Sequence, residues 1–462
     1  MTHGAARAAT KPLAVGGRSG TSLLAALRWF VIAYGFAVLG YLVTNAVASR
    51  WLGLTDFTDF VVVLTVSTVV GQLALVGVHR GGLRDAAVMG HATGDDEARL
   101  RALRAGARGA RFVTLPAGAV LGAVVFYAVT DAEPLDRLVT AVAFGLLVQL
   151  NGLQKLWANY LRGLGRIRLA SVLEGRSGGG VVSVVQAVLM VLAWQAFPDS
   201  GLTGAIVALL VGYAIPVVYA GRSVTRHWSH LPADGHLWRD LVGSVQRSWR
   251  FAVNQLSGYL SGTVELWIAA ALLVNTQASL FSAAQRLALM LAIPLTSIQV
   301  VFAPVCARML ATGETDRLQR VLRTGATFAA IFSAVLLVPM LVIPGPVLGL
   351  VFSDRFQPAA TVLLVLTLGN AVSVLTGLCG MALTMSHHEG LVAAVVSAGV
   401  GLRIVLGGAA AYLFGLEGLA VTATLIASAT YLVLWLSSKR LLSIWTHPTL
   451  RPSLGALRRT AG

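Results

Sequence analysis

The chain runs to 462 residues, 56% of them apolar and only 12% charged, with a mean hydropathy of +0.77. That balance excludes a soluble domain and leaves a polytopic membrane protein. The net charge of +16 would suggest nucleic acid in a soluble chain. Here basic loops on one side of a bilayer account for it, so no nucleic-acid partner is expected.

Residues 1–22 are small, polar and weakly basic and lack a signal-peptide apolar core; they read as a disordered cytoplasmic tail. Twelve apolar spans follow, at roughly 27–48, 58–79, 112–130, 138–158, 169–193, 203–222, 251–273, 279–302, 325–343, 358–384, 391–414 and 418–437. Most are separated by short turns, so sequence neighbours run antiparallel. The organisation is an N-terminal six-helix lobe over 23–222, a cytoplasmic linker over 223–250, a C-terminal six-helix lobe over 251–437 and a basic cytoplasmic tail over 438–462. Within the linker, Leu237 or Trp238, Leu241, Val242, Val245 and Trp249 form one apolar stripe, the mark of an interfacial helix leading into the seventh span. Arg101, Arg104, Arg108 and Arg111 share one helical face, suited to anionic headgroups.

Of the 35 Lys and Arg residues, 28 fall in segments that lie on one side of the bilayer, and three, Arg50, Arg137 and Arg355, on the other. The bias predicts both termini inside a cytoplasmic membrane. Four cations remain, Lys155, Arg176, Arg286 and Arg403, within or at the edges of spans. The lobes also repeat: LRALRAGA at 100–107 matches QRVLRTGA at 319–326, and LRGLGRIRLASVL at 161–173 falls opposite LTMSHHEGLVAAV at 383–395. Nearly equal offsets predict two parallel halves related by an axis along the membrane normal.

Charge inside the spans is where function is sought. Glu265 is the one charged residue of SGTVELWIAAALL. The turn after its span centres near residue 276, and Arg286 lies about as far beyond it as Glu265 lies before. At 1.5 Å per residue both sit about 15 Å from the turn, so a charge pair between them is expected, or else a titratable group that couples transport to an ion. Arg403, mid-span in GVGLRIVLGG, has no acid nearby in sequence and is expected to line a cavity. Arg176 sits beside Glu174 on the equivalent helix of the first half and either lines the same cavity or snorkels to the interface. The substrate-binding candidates are therefore Arg403, Arg286 and Arg176. Asn45, Gln72, Gln149, Asn151, Asn254, Gln255 and Asn370 bond between helices or line a polar path.

Other motifs carry no chemistry. GRSGGG, from Gly175, has no preceding strand and no Walker lysine. His227, His230 and His236 lack further ligands, and Cys306 and Cys379 suggest neither a disulfide nor zinc, so no metal or cofactor is expected. Without a Ser-His-Asp set, paired carboxylates or a large outer loop, the chain does not read as an enzyme.

GLVFSDRFQPAATVLLVLTLG at 349–369 resembles a segment of Wzx-type polysaccharide flippases, in which Phe, Gly or Ser, Asp or Pro and Phe or Tyr lead into Pro-Ala-Ala. SLFSAAQRLALMLAIPLTSIQVVFAPVCARM at 279–309 resembles their eighth helix, NAVASRWLGLTDFTDFVVVL at 45–64 their first hairpin, and LRGLGRIRLAS their fourth–fifth connection. The likeness runs from about residue 25 to 440. Their seventh-helix Asp-Arg reads Glu265-Leu266 here, and Thr58 stands where glycine is usual. The resemblance implies an all-α membrane fold of twelve helices in two six-helix lobes, a pseudo-twofold arrangement shared with multidrug (MATE) exporters. It implies export of a lipid-linked oligosaccharide, with a glycan polymerase or glycosyltransferases as partners. An ion-coupled small-molecule exporter is the alternative.

Overall fold

A computed structural model describes residues 23–87, 96–129, 133–164, 166, 169–170, 180–226 and 237–453. Among them are helices and turns but no strand. The N-terminal tail, Glu174, Arg176, the glycines at 178 and 179, the three linker histidines and the last nine residues lie outside the described residues.

The first half comprises α1 (Leu23–Ala74), α2 (Val78–Ala87), α3 (Asp96–Gly109), α4 (Leu115–Val129), α5 (Pro134–Gly163), α6 (Gly180–Ala196) and α7 (Gly201–Thr225). The second comprises α8 (Leu237–Leu272), α9 (Asn275–Ala288), α10 (Ile293–Ala311), α11 (Thr315–Val342), α12 (Pro344–Val351), α13 (Ala360–Thr376), α14 (Cys379–Met385), α15 (Glu389–Leu402) and α16 (Gly408–Leu442). The first two predicted spans are the arms of α1, broken at Gly53, whose φ of +70° suits a residue without Cβ. The last two spans run from α15 into α16, through a π turn at Arg403–Gly407 and a break at Gly415.

Among the described residues, eight helical stretches are long and apolar enough to cross a membrane. The protein is a multi-pass membrane protein. α8, which holds the predicted seventh span, is not one of the eight, because Asn254, Gln255, Ser257, Ser261, Thr263 and Glu265 dilute its apolar run. A span this polar is stable only where its neighbours cover it. The predicted interfacial helix is the first third of α8, continuous with the span. Its Leu241 is buried on α3, where a Cβ on Gly109 would come within 2.7 Å of Leu241 Cδ1, while Trp238 and Val242 stay exposed.

Two features mark the C-terminal part of the chain. The predicted span 358–384 is two helices, divided at Gly377. Within the segment read as a basic tail, residues 443–453 form a strap: Trp445 N donates to Gln319 Oε1 (2.8 Å), Thr446 Oγ1 to Thr376 O (2.7 Å) and Thr449 N to Thr327 Oγ1 (2.8 Å). Burial, with the Arg323 guanidinium alongside, holds the His447 imidazole in the strap below its usual pKa. The break and the strap have one cause. Gly377 has φ +72°, and a Cβ there would stand 2.0 Å from Thr446 O. Only glycine both turns the chain and leaves room for the strap. Gly377→Val should cost more than the ~1–2 kcal/mol of a left-handed side chain alone. It should lower the melting temperature of the purified protein and expose the chain beyond Ser443 to limited proteolysis.

Candidate functional site

Glu265 and Ser261 are one turn apart on α8 and so share a face. That face meets α15, α16 and the π turn between them. Arg403 opens the π turn, and its Nη1 reaches Glu265 Oε1 at 3.0 Å and Ser261 O at 2.7 Å. Gln285 Nε2 approaches the other carboxylate oxygen at 3.5 Å. Both charged residues are buried, Glu265 at 5% and Arg403 at 4% exposure. The expected pairing is thereby corrected: Glu265 pairs with Arg403, not with Arg286, and Arg403 is not among the described residues lining the cavity between the halves. Glu265 and Arg286 stand at matching levels of the α8–α9 hairpin, where Gln285 beside Arg286 reaches Glu265, but the two charged side chains leave it toward different neighbours.

Arg286 turns instead to the first half. Its Nη1 donates to the Tyr41 hydroxyl on α1, and its guanidinium lies 5.1 Å from the Tyr41 ring centroid. It is 6% exposed, and its Nε has no hydrogen-bond partner among the described residues. No carboxylate among the described residues pairs with it. A phenol and a ring face stabilise a cation without supplying a counter-charge.

Arg286 and Tyr41 form part of the wall of a cavity of about 310 Å³ between the two halves. The first half supplies Thr65, Thr68 and Gln72 from α1, Asn151, Gln154 and Lys155 from α5, and Tyr213 from α7. The second half supplies Gly258, Tyr259, Gly262 and Thr263 from α8, and Gln285 and Arg286 from α9. Gly258 and Gly262 stand one turn apart, and a Cβ on either would meet nothing within 4 Å; the cavity occupies the space their missing side chains leave. Among the described residues lining it there is no Asp or Glu, but two cations, Arg286 and Lys155. The Lys155 ammonium likewise has no acid partner among the described residues. The wall combines positive charge with amides and hydroxyls, a surface that binds polar anions.

Lys155, a span-edge cation in the sequence, was not among the expected site residues. It becomes one because α5 continues to Gly163, a further two turns, which brings its position inside the bundle. Gln72 and Asn151, two of the polar residues punctuating the spans, line the cavity; Asn45, Gln149 and Asn370 are not among its described lining. Among the described residues no cluster of three or more His, Cys, Asp and Glu could hold a metal ion.

Solved transporters show the same course of chain. An inward-facing multidrug resistance MATE family transporter of the MOP superfamily superposes with a TM-score of 0.59 over 92% of this chain and 98% of its own, at 14% identity. The chain has the MATE transporter fold. The Vibrio cholerae MATE transporter VcmN in its bent form gives 0.55 at 15% identity, over 92% of this chain and 98% of that one. An outward-facing MATE family transporter gives 0.52 at 14% identity, over 91% and 96%. No protein-family model and no curated protein matches the sequence. The MATE-like architecture accounts for the position of the cavity, enclosed by elements of both halves.

Proposed function

We propose that the protein is a flippase that moves a polyprenyl-diphosphate-linked oligosaccharide across the cytoplasmic membrane by alternating access, for synthesis of a cell-surface glycan. One observation supports this above the others: the cavity between the halves carries two cations and, among its described lining, no acid. A diphosphate headgroup supplies the counter-charge that Arg286 and Lys155 lack among the described residues, and the amides and hydroxyls around them suit sugars. Arg286, predicted from sequence, and Lys155 are the proposed substrate-binding residues, with Arg176 retained as a candidate. Glu265 and Arg403 are assigned a structural role as the pair that joins α8 to the α15–α16 turn. The basic segments, by the charge bias, face the cytoplasm, where the lipid-linked glycan is made by glycosyltransferases.

A second reading, export of a small molecule, draws on the fold it shares with multidrug resistance transporters. Cationic drugs would meet like charge in this cavity, which favours the first reading. Cells lacking the protein should accumulate a lipid-linked glycan on the cytoplasmic leaflet with unchanged drug sensitivity. Normal glycan lipids together with heightened drug sensitivity would replace the flippase reading with the exporter.

A further inference from the structure

We propose that a clasp between the halves, on the arginine-poor face, is a latch that sets the resting state, with Arg50 as its principal element. The inference rests on the transport reading above, but not on the identity of the substrate.

Arg50 ends the arm of α1 that precedes the break at Gly53. Its Nη1 donates to Val351 O at 3.0 Å and its Nη2 to Leu350 O at 2.9 Å. These carbonyls close α12, where a helix has no partners of its own for its last oxygens and carries the negative end of its dipole. A guanidinium of one half therefore caps a helix of the other, and the planar fork serves two oxygens together, as an ammonium does not. Nη1 also reaches Ala46 O at 3.2 Å, which holds the fork against its own helix.

Beneath the clasp the halves meet in a buried seam. Phe57 lies edge-on to Phe352 and Phe356, at 5.9 and 5.4 Å between ring centroids, and all three are essentially buried. The Thr58 hydroxyl lies 2.6 Å from that of Ser279, which itself bonds to Leu54 O. The described cavity lies on the other side of this seam, and no residue of the clasp or seam lines it. The seam is thus the closed side of the transporter, and the cavity belongs to a state facing the basic segments. The surfaces must part once per cycle. Contacts made in only one of two states bias the equilibrium by their differential free energy, so the exposed, water-exchangeable bonds of Arg50 hold the door shut without welding it.

The test reads conformation without substrate. A cysteine at Thr65, which lines the cavity, is introduced in a Cys306→Ala/Cys379→Ala background and labelled from outside intact cells with a membrane-impermeant maleimide. Arg50→Ala should raise labelling about tenfold at equal membrane levels, the ratio expected for losing one pair of charge-assisted bonds. Labelling equal to that of the Arg50 protein would overturn the latch. If Arg50→Ala fails to reach the membrane, Thr58→Cys/Ser279→Cys carries the test, since the hydroxyl spacing admits a disulfide. Oxidation should suppress outside labelling at Thr65→Cys, and reductant should restore it. Undiminished labelling of the crosslinked protein would equally overturn the proposal. Labelling that responds as expected, in cells whose glycan lipids never depend on the protein, sinks the substrate reading and leaves the latch intact.

Discussion

Arg403→Ala should destabilise the protein by about 3–5 kcal/mol, because it leaves Glu265 buried among helices without its counter-charge. Glu265→Ala should cost a similar amount for the converse reason. The double replacement Glu265→Leu/Arg403→Met, of similar volume and no charge, should recover most of that loss, since a buried ion pair contributes little beyond a well-packed apolar contact. Thermal unfolding of the four proteins in detergent gives the coupling between the residues directly. The same double variant separates the roles open to Glu265. If it folds and transports across the pH range as the parent does, the acid steadies the contact between α8 and the π turn and no more. If it folds and is inert, the acid titrates in the transport cycle, and the structural assignment falls.

Arg286→Gln should have the opposite signature. Its guanidinium is buried without an acid among the described residues, so its removal relieves a desolvation cost instead of creating one. Stability should stay level or rise, while transport of a diphosphate-linked glycan falls about 10–100-fold, the range for losing charge-assisted hydrogen bonds to an anion. Lys155→Gln should reduce transport in the same direction, and Arg286→Lys should retain part of it. Two buried arginines of one protein are thus expected to differ in sign when mutated, according to whether a carboxylate faces them. A transport assay in reconstituted vesicles, paired with melting curves, tests both halves of the expectation.

Much of this architecture is legible in the chain, because rise along a helix is fixed and apolar length reports a span. The two arms of α1, the hairpin of α8 and α9, and the matching levels of Glu265 and Arg286 along it all follow from counting residues. What counting does not provide is azimuth. Whether Glu265 points at Arg286 or Arg403 depends on which helices flank α8, a matter of tertiary arrangement that local sequence does not encode. The break at Gly377 is invisible for a related reason: its cause, the oxygen of Thr446, arrives from far along the chain. Lys155 was legible as an intramembrane cation but not as part of a site, since the reach of α5 past the apolar run decides its depth. The cavity itself leaves a faint trace in the glycines and hydroxyls of residues 257–263, SGYLSGT, small and polar where the neighbouring spans are bulky.

The polar seventh span bears on how the protein is made. α8 enters the bilayer before its partner exists, because Arg403 is synthesised 142 residues after Ser261. At about 5–20 residues per second, that leaves the helix waiting on the order of ten seconds. An acid at mid-membrane raises the insertion cost of a nascent helix by about 2.5–3.5 kcal/mol. Through that interval Glu265 must be borne by a proton, by the completed first half, or by the insertion machinery. Assembly of the second half is therefore obligatorily sequential, and the eleventh span is the step at which the seventh is secured.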